Sequence, residues 1–440
     1  MRIRARGLAW ILAAAGCGGG QDVNIELATP DIPELSAFAG PVTKVRVTAR
    51  TESGTDDTLI DLPSGTLSFS LRAFPAERAR FEVEAFDALG RVRAYGRTDL
   101  VELRDGLEIP LRRNLAYTVH QAGSGDDRPE AIVYAIDVVD RTLVERLRIP
   151  GEGVRARSVT AWGGRAMLFA AALPVRAAED PPGMVAVLST ADHRFDVVML
   201  EHPPDVVLAP DHGSVGVAVG GGLLSFVDFE TLEVLGVPVS LGGTALDAGI
   251  APDGRRALVA VDISPPGLID VDLRRMEVIG SSVTPAPAGI AVDRRAGQAY
   301  VVSSEVDSVV AVDLPSGRAS SFSRDLVSAG GLAVYSDVMG GLVTVSEDGP
   351  GSTLVGFSTF FGQPVPGSVV SFDGVTGLAM DGAGRHGVLV ATGGPEGEPG
   401  WTVFDARFNE LPEATSLAYV EDPVERVRYL PRGVGIVYGD

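Results

Sequence analysis

One short pattern recurs along most of the chain and limits the folds that it can adopt. The pattern is a small apolar strand followed by a turn, and successive copies lie about 45 residues apart. The copies read "SVTAWGG", "VVLAPDHG", "AGIAPDG", "AGIAVDRRAG", "GGLAVYSD", "TGLAMDGAG" and "VRYLPRG". A second landmark, the end of a later apolar strand, also occurs seven times, as "VYAID", "VAVLS", "LSFVD", "LIDVD", "VVAVD", "LVGFS" and "WTVFD". Two landmarks with one period indicate seven repeated units.

Each unit has room for four strands. In the unit that begins near Ala288, the predicted strands are 289–293, 298–303, 308–313 and 318–323. A four-stranded sheet that is apolar on both faces cannot bury itself, whereas seven such sheets stacked around an axis bury one another. The sequence therefore predicts an all-β fold with a seven-bladed β-propeller over residues 114–440. The glycines and alanines of each first strand suit the crowded position next to the axis.

The ring is expected to close through a blade built from both ends of the array. The seventh first-strand copy, "RVRYLPRG", lies at the extreme C-terminal end and would supply the inner strand. The segments "EAIVYAID" and "TLVERLRI" would supply the two outer strands. Either "LAYTVHQ" or "GVGIVYGD" could form the second strand, and the sequence favours neither.

A smaller β-domain is predicted before the array. Residues 41–113 contain six or seven short segments in which apolar and polar residues alternate, as in Val45, Val47 and Ala49. This pattern predicts a β-sandwich that resembles immunoglobulin-like or fibronectin-like modules in architecture. Residues 17–40 are rich in turn formers and acids, and we expect them to be a tether.

The N-terminus has the composition of an export signal. A basic start and a short apolar run in residues 1–16 precede Cys17, the single cysteine of the chain. The position of Cys17 after Ala14, Ala15 and Gly16 resembles a bacterial lipobox. That resemblance implies a lipid on Cys17, attachment to a membrane and a place in the cell envelope. Gly18, rather than Asp, follows the cysteine, which implies the outer membrane. The alternative is an ordinary signal peptide that is removed together with Cys17.

The formal net charge of −21 argues against nucleic acid as a partner and favours a basic partner or cations. Acidic residues recur in the loops between the second and third strands of the predicted blades. These acidic loops carry Glu179, Asp180, Asp262, Glu305, Asp307, Glu347, Asp348, Glu396 and Glu398. Equivalent loops of a propeller emerge on one face, so we expect a shared binding face that holds divalent cations only weakly. The alternative is that these acids are simply solvated.

One blade allows a family resemblance. The segment "AGIAVDRRAGQAYVVSSEVDSVVAVDLPSGRA", with Tyr300-Val301-Val302-Ser303 in the characteristic position, resembles the YVTN-type propeller repeat of bacterial surface and lactonase-like proteins. The resemblance covers roughly residues 115–440. It implies the fold more than the function, because propellers serve both as enzymes and as binding scaffolds.

A search for chemistry yields no catalytic residue, no metal site and no cofactor. The five histidines lack the spacing of metal ligands on one element, and no nucleophile elbow is present. We expect His193, His212 and His386 to lie in or beside turns. The sequence thus favours a lipid-anchored envelope protein whose propeller is a non-enzymatic binding or scaffolding platform for an unidentified partner. The alternative function is a periplasmic or surface lactonase-like hydrolase with a divalent cation.

Overall fold

Every regular element in the described part of the chain is a β-strand. The computed structural model describes residues 21–438 except 39, 52–53, 63–67, 72–77, 104–106, 123–129, 176–180, 285, 294–296, 304–307, 324–328, 336–339, 347–350, 359–363, 394–399 and 406–428. Cys17 and the predicted signal peptide lie outside the described residues. Among the described residues, no helix has the length and apolar character needed to cross a bilayer.

The first nine strands form a two-layered sandwich, called the β-domain below. They are β1 (Gln21–Ala28), β2 (Val42–Thr51), β3 (Gly54–Asp61), β4 (Ser68–Leu71), β5 (Arg78–Asp87), β6 (Val92–Arg97), β7 (Val101–Glu102), β8 (Leu107–Pro110) and β9 (Arg112–Arg113). One layer has the order β3-β2-β5-β6-β9, with β7 also paired to β5, and the other has the order β4-β1-β8. Alternation places Val45, Val47, Phe81 and Val83 on one side, where they are buried between the layers.

Strand β1 lies within residues 17–40, where the sequence predicts a tether. It pairs antiparallel with β4, as in Val23 with Phe69, and parallel with β8, as in Leu27 with Ile109. Ile25 is buried in the core of the sandwich. The segment from residue 21 to 28 is therefore part of the β-domain. Its partners are distant in sequence, and neither its composition nor a local hairpin reveals the pairing.

The remaining strands build the array. They are β10 (Leu115–Ala122), β11 (Ala131–Asp137), β12 (Thr142–Arg148), β13 (Arg155–Trp162), β14 (Ala166–Ala172), β15 (Gly183–Ser189), β16 (Phe195–Leu200), β17 (Val206–Leu208), β18 (Val215–Gly220), β19 (Leu223–Asp228), β20 (Glu233–Ser240), β21 (Thr244–Ile250), β22 (Arg256–Asp262), β23 (Gly267–Asp272), β24 (Glu277–Val283), β25 (Pro287–Asp293), β26 (Gln298–Ser303), β27 (Ser308–Asp313), β28 (Arg318–Ser323), β29 (Ala329–Tyr335), β30 (Gly340–Ser346), β31 (Gly351–Ser358), β32 (Pro364–Met380), β33 (His386–Gly393), β34 (Gly400–Asp405) and β35 (Tyr429–Ile436).

These strands form antiparallel sheets that we number as blades in chain order. Blade 1 is β35-β10-β11-β12, and blades 2 to 5 are the four-stranded sheets β13–β16, β17–β20, β21–β24 and β25–β28. Strands β29–β34 form one six-stranded sheet because the long strand β32 takes part in two units. Its first half pairs with β31, as in Val369 with Val355, and its second half pairs with β33, as in Leu378 with Leu389. We call the two halves of this sheet blades 6 and 7.

The inner strands follow one another around a closed path. Strand β35 contacts β13, and contacts continue through β17, β21, β25, β29 and β32 back to β35. This arrangement confirms the predicted all-β class and the propeller. The order of inner strands supports the predicted number of seven blades, while the predicted fourth strand of blade 7 would fall within residues 406–428, outside the described part.

Blade 1 closes the ring with strands from both ends of the array. The C-terminal strand β35 pairs antiparallel with β10, as in Val434 with Thr118 and Ile436 with Ala116. The segment "LAYTVHQ" therefore supplies the second strand, and "YLPRGVGI" supplies the inner one. The alternative left open by the sequence is decided by this long-range pairing.

The seams between neighbouring blades are apolar. Strands such as β14 and β22 are buried along almost their whole length because a blade covers each of their faces. Five clusters of buried side chains fill the seams between blades 7 and 1, 1 and 2, 2 and 3, 3 and 4, and 4 and 5. The cluster between blades 1 and 2 continues into the β-domain through Leu35, Phe86, Val92 and Tyr95. Inner strands approach closely: a Cβ on Gly249 would lie 2.8 Å from Val292 Cγ2 in the next blade. This close approach explains the small residues of the first-strand pattern.

Candidate functional site

The β-domain lies against one end of the propeller, which we call the junction face. This face consists of the turns between first and second strands and between third and fourth strands. Arg80 Nη2 donates a hydrogen bond to the carbonyl of Pro252 in blade 4 (2.6 Å), and Arg112 Nε donates one to Thr190 Oγ1 in blade 2 (3.0 Å). Turns of blades 1, 3 and 7 make similar contacts, described below. The β-domain is therefore held by most of the ring rather than by one blade.

A buried ion pair lies within the junction. Arg97, at the end of β6, places Nε 2.5 Å and Nη2 3.2 Å from the two carboxylate oxygens of Asp211 in blade 3. The two side chains are 5% and 2% exposed. Next to it, Asp99 Oδ2 accepts the backbone N–H of His212 (2.7 Å). A bidentate pair of this kind fixes both position and orientation.

A second ionic group joins β6 to blade 1. Arg93 Nε lies 3.1 Å from Asp87 Oδ2, and Arg93 Nη1 lies 2.5 Å from Asp140 Oδ2 in the turn after β11. The hydrogen bond from Arg93 is the main reason that the pKa of Asp140 is held below its ordinary value. For Asp87, burial acts to raise the pKa, but hydrogen bonds from Arg91, Arg93 and Leu89 outweigh it and the pKa is lowered.

The turn of blade 7 carries a third group. Asp381, fully buried, accepts hydrogen bonds from Asn114 Nδ2 (2.9 Å) and from the backbone N–H of Arg385 (2.7 Å), and His386 Nδ1 lies 3.1 Å from it. Burial acts to raise the pKa of Asp381, but these contacts, led by His386, lower it. Arg385 reaches back to Glu84 of β5 (3.2 Å).

Apolar and aromatic contacts complete the junction. Tyr438, which follows β35, stacks edge-on against Tyr95 of the β-domain with ring centroids 5.7 Å apart, and its hydroxyl donates to the carbonyl of Pro110. A Cβ on Gly382 would lie 2.3 Å from the ring of Tyr95, so this position accepts only glycine without a shift. The junction thus combines an aromatic patch with several charged contacts.

The repeated turn motif gave a partial signal for this surface. Asp211 and Asp381 are the aspartates of the first-strand copies "VVLAPDHG" and "TGLAMDGAG", and both receive hydrogen bonds from the β-domain or its connection to β10. The partners of these aspartates, Arg97 and Asn114, carry no such signal in the sequence. In alternating strands, an arginine that faces another domain has the same pattern as one that faces water.

The turn positions predicted for His193, His212 and His386 agree with the structure, but only His212 is exposed. His193 Nε2 lies 2.9 Å from the hydroxyl of Tyr117, and its Nδ1 lies 2.5 Å from Glu145 Oε2. This arrangement resembles a proton relay. However, the Tyr117 side chain is fully buried and burial raises the pKa of its hydroxyl, so the hydroxyl is ill suited to accept or release a proton near neutral pH.

Of the nine acids predicted for the binding face, only Asp262 lies in the described part of the chain. It is exposed and ends β22, a strand that begins beside the junction turn at Pro252–Gly254. A strand of this length spans about 20 Å, so Asp262 lies at the opposite end of its blade. The other eight, Glu179, Asp180, Glu305, Asp307, Glu347, Asp348, Glu396 and Glu398, fall outside the described residues, and their convergence stays a prediction.

Among the described residues, no group of three or more His, Cys, Asp or Glu side chains could hold a metal ion.

Comparisons with known proteins concern the fold alone. No family model matches the chain, and no curated protein matches it. Similar solved structures include hydrazine synthase of Kuenenia stuttgartiensis, with 18% identity over 54% of this chain and 76% of that chain and a TM-score of 0.43. A chain of the mitotic checkpoint complex is 11% identical over 60% and 81%, with a TM-score of 0.47. A chain of a nidogen/laminin complex is 7% identical over 73% and 98%, with a TM-score of 0.43. The fold assignment rests on the strand topology.

Proposed function

We propose that this protein is a lipid-anchored component of the cell envelope whose propeller binds a partner without catalysing a reaction. The observation that carries the proposal is the occupation of the junction face by the β-domain. Contacts such as Arg97 with Asp211 hold that face, so a partner of the propeller would meet the opposite end.

The opposite end is where the second strands end and where the acidic loops are predicted. In a chain with a net charge of −21, such loops would create a negative potential at one end of the ring. That field would speed the approach of a basic partner, since charge at the rim of an interface acts mainly on the association rate. The partner class proposed is therefore a basic protein or peptide.

The test compares two variants with equal changes in net charge. One replaces Glu305, Asp307, Glu347 and Asp348 by the corresponding amides. The control replaces Asp196, Glu230, Glu233 and Glu277, which are exposed on outer strands or junction-side turns. Association of a lysine-rich peptide is followed by stopped flow at several salt concentrations. We expect about tenfold slower association at low salt for the first variant and a smaller change for the control.

Equal association rates of the two variants would contradict a directed acidic face and favour the alternative that these acids are simply solvated.

The anchor is tested separately by Cys17→Ser, which should move the protein from the membrane fraction to the soluble envelope fraction. A single acyl chain binds only marginally, so stable attachment needs the several chains of a lipoprotein. Unchanged membrane partition of Cys17→Ser would contradict lipidation at this cysteine.

A further inference from the structure

A cleft of about 600 Å³ lies between the β-domain and blades 3 and 4. Its β-domain wall comes from the start of β5 and from the segment around β7. Its propeller wall comes from the first-to-second-strand turns of both blades and from the third-to-fourth-strand turn of blade 4. A volume of this size suits a small molecule rather than a protein segment. The acidic loops take no part in it.

Three arginines line the cleft: Arg78, Arg255 and Arg274. Arg78 donates one hydrogen bond from Nη2 to the carbonyl of Leu100 (2.9 Å), and its buried Nε has no hydrogen-bond partner. The buried Nε of Arg255 also has no partner. Arg274 is exposed, and only its backbone N–H is hydrogen-bonded within the described residues, to Asp272 Oδ1 (2.9 Å).

Several other arginines with restricted exposure contact carboxylates. Arg97 pairs with Asp211, Arg113 with Asp137, and Arg256 with Asp270. The chain has 58 acidic residues for 37 basic ones, so acidic partners are plentiful. Arg112 makes no carboxylate contact among the described residues either, but it donates hydrogen bonds to Thr190 Oγ1 and to the carbonyls of Ala28 and Leu111. Arg78 has a single side-chain hydrogen bond among those residues. An anion in the cleft would compensate the charge of these partly desolvated guanidinium groups.

Two of the three carboxylates of the cleft are used by other groups. Asp99 Oδ2 accepts the backbone N–H of His212, and Asp253 accepts the backbone N–H of Arg255 (2.9 Å) and Nε of Arg256 (3.3 Å). Glu102 is exposed at the rim. None of these three carboxylates pairs with the guanidinium groups of Arg78 or Arg255 among the contacts of the described residues.

The rest of the lining is largely apolar. Leu100, Val101 and Leu107 lie on the β-domain side, and Leu273 and Met276 lie on the propeller side. Such a lining favours a ligand with a hydrocarbon body. The planar guanidinium matches the geometry of a carboxylate.

We propose that this cleft binds a small organic carboxylate, with its charged group at Arg78 and Arg255 and its hydrocarbon body against the leucines. The proposal is independent of the acidic face. Since both domains form the walls, the bound ligand would also link the β-domain to the propeller.

The test uses three probes that share one alkyl chain: octanoate, octylamine and octan-1-ol. Each is titrated into the purified chain by calorimetry. We expect saturable binding of octanoate, at least tenfold tighter than that of the amine or the alcohol. The double variant Arg78→Gln/Arg255→Gln should bind octanoate at least tenfold more weakly, whereas Arg155→Gln, at an exposed arginine of blade 2, should bind it as the wild type does.

A more conservative variant keeps the test usable if the double variant does not fold. Arg255→Lys keeps the charge but lacks the planar fork, and it should bind octanoate with intermediate affinity. Thermal melting followed by circular dichroism reports whether each variant is folded. The proposal is overturned if octanoate shows no saturable binding, if octylamine binds as tightly, or if folded arginine variants keep the wild-type affinity.

Discussion

The seams between blades and the junction with the β-domain are both buried, but they are built differently. The seam between blades 3 and 4 is filled by aliphatic and aromatic side chains such as Val219, Phe226 and Val259. The junction has an aromatic patch, but much of its contact comes from ionic groups such as Arg97 with Asp211 and Arg93 with Asp140.

The difference teaches where each part of the molecule is vulnerable. A seam spreads its stabilisation over many small apolar contacts, and no single one decides whether neighbouring blades stack. The junction adds a few directional ionic contacts to an apolar cluster that continues from the β-domain into blades 1 and 2. Removing one member of a buried pair leaves the other charge without compensation, which costs more than the pair itself contributes.

The largest loss of stability is expected when β35, which takes part in the seams on both sides of blade 1, is deleted. Deleting Tyr429–Asp440 removes β35, whose Val434 and Ile436 lie in the apolar cluster between blades 7 and 1. Without this strand the ring is open and β10 has a free edge. We expect loss of cooperative unfolding, a cost comparable with the whole stability of a domain, about 5–15 kcal/mol.

Calorimetry and denaturant titration measure this effect. The control is a truncation that ends at Tyr438 and keeps β35. A deletion variant that melts in one transition at the wild-type temperature would mean that blade 1 does not close the ring.

An intermediate effect is expected at the junction. Arg97→Met should remove the two hydrogen bonds of Arg97 to the buried Asp211 and cost about 3–5 kcal/mol. The matched control is Lys44→Met in the exposed pair with Asp61 (3.7 Å), for which we expect less than about 1 kcal/mol. Urea unfolding measures both values.

The double variant Arg97→Met/Asp211→Leu sharpens this result. Because both charges are gone, most of the lost stability should return. If Arg97→Met costs no more than Lys44→Met, the junction does not depend on this pair and the contrast with the seams fails.

The smallest effect is expected at a charged group inside a seam. Asp247 of blade 4 accepts the backbone N–H groups of Ala248 and, across the seam, of Ile290 in blade 5, both at 2.9 Å. Burial raises its pKa to about 6 from an ordinary value of 3.8. The folded state therefore holds a proton that the unfolded state has released, and stability falls as the pH rises through this interval.

The measurement is the stability of wild type and Asp247→Asn from about pH 4 to about pH 7. Relative to the variant, the wild type should lose about 1–2 kcal/mol across that range, less than the full shift implies because the side chain is partly exposed. A constant difference between the two proteins would show that Asp247 does not titrate in this interval.

Much of the fold could be predicted because the same pattern of strands and turns occurs seven times in the sequence. The small first strands and the aspartate turns recur, so errors in one copy are corrected by the others. What could not be predicted depends on pairing between distant segments. The choice of β10 as the second strand of blade 1 and the pairing of β1 with β8 are decided by tertiary contacts.

The candidate surfaces show the same limit. The position of Asp262 away from the junction follows from strand topology, which the repeat predicts. The roles of Arg93, Arg97 and Arg255 do not follow, because each looks like a solvent-facing residue in its own segment. Only the domain packed against them distinguishes them.

The closure of blade 1 also sets the order in which the protein can be completed. Strand β35 is made after every other described strand, and its partner β10 lies about 300 residues earlier. At a synthesis rate of about 5–20 residues per second, β10 is made roughly 15–60 s before that partner. During this time its open edge can pair with another chain. Until β35 is in place, we therefore expect incomplete chains to associate through this edge.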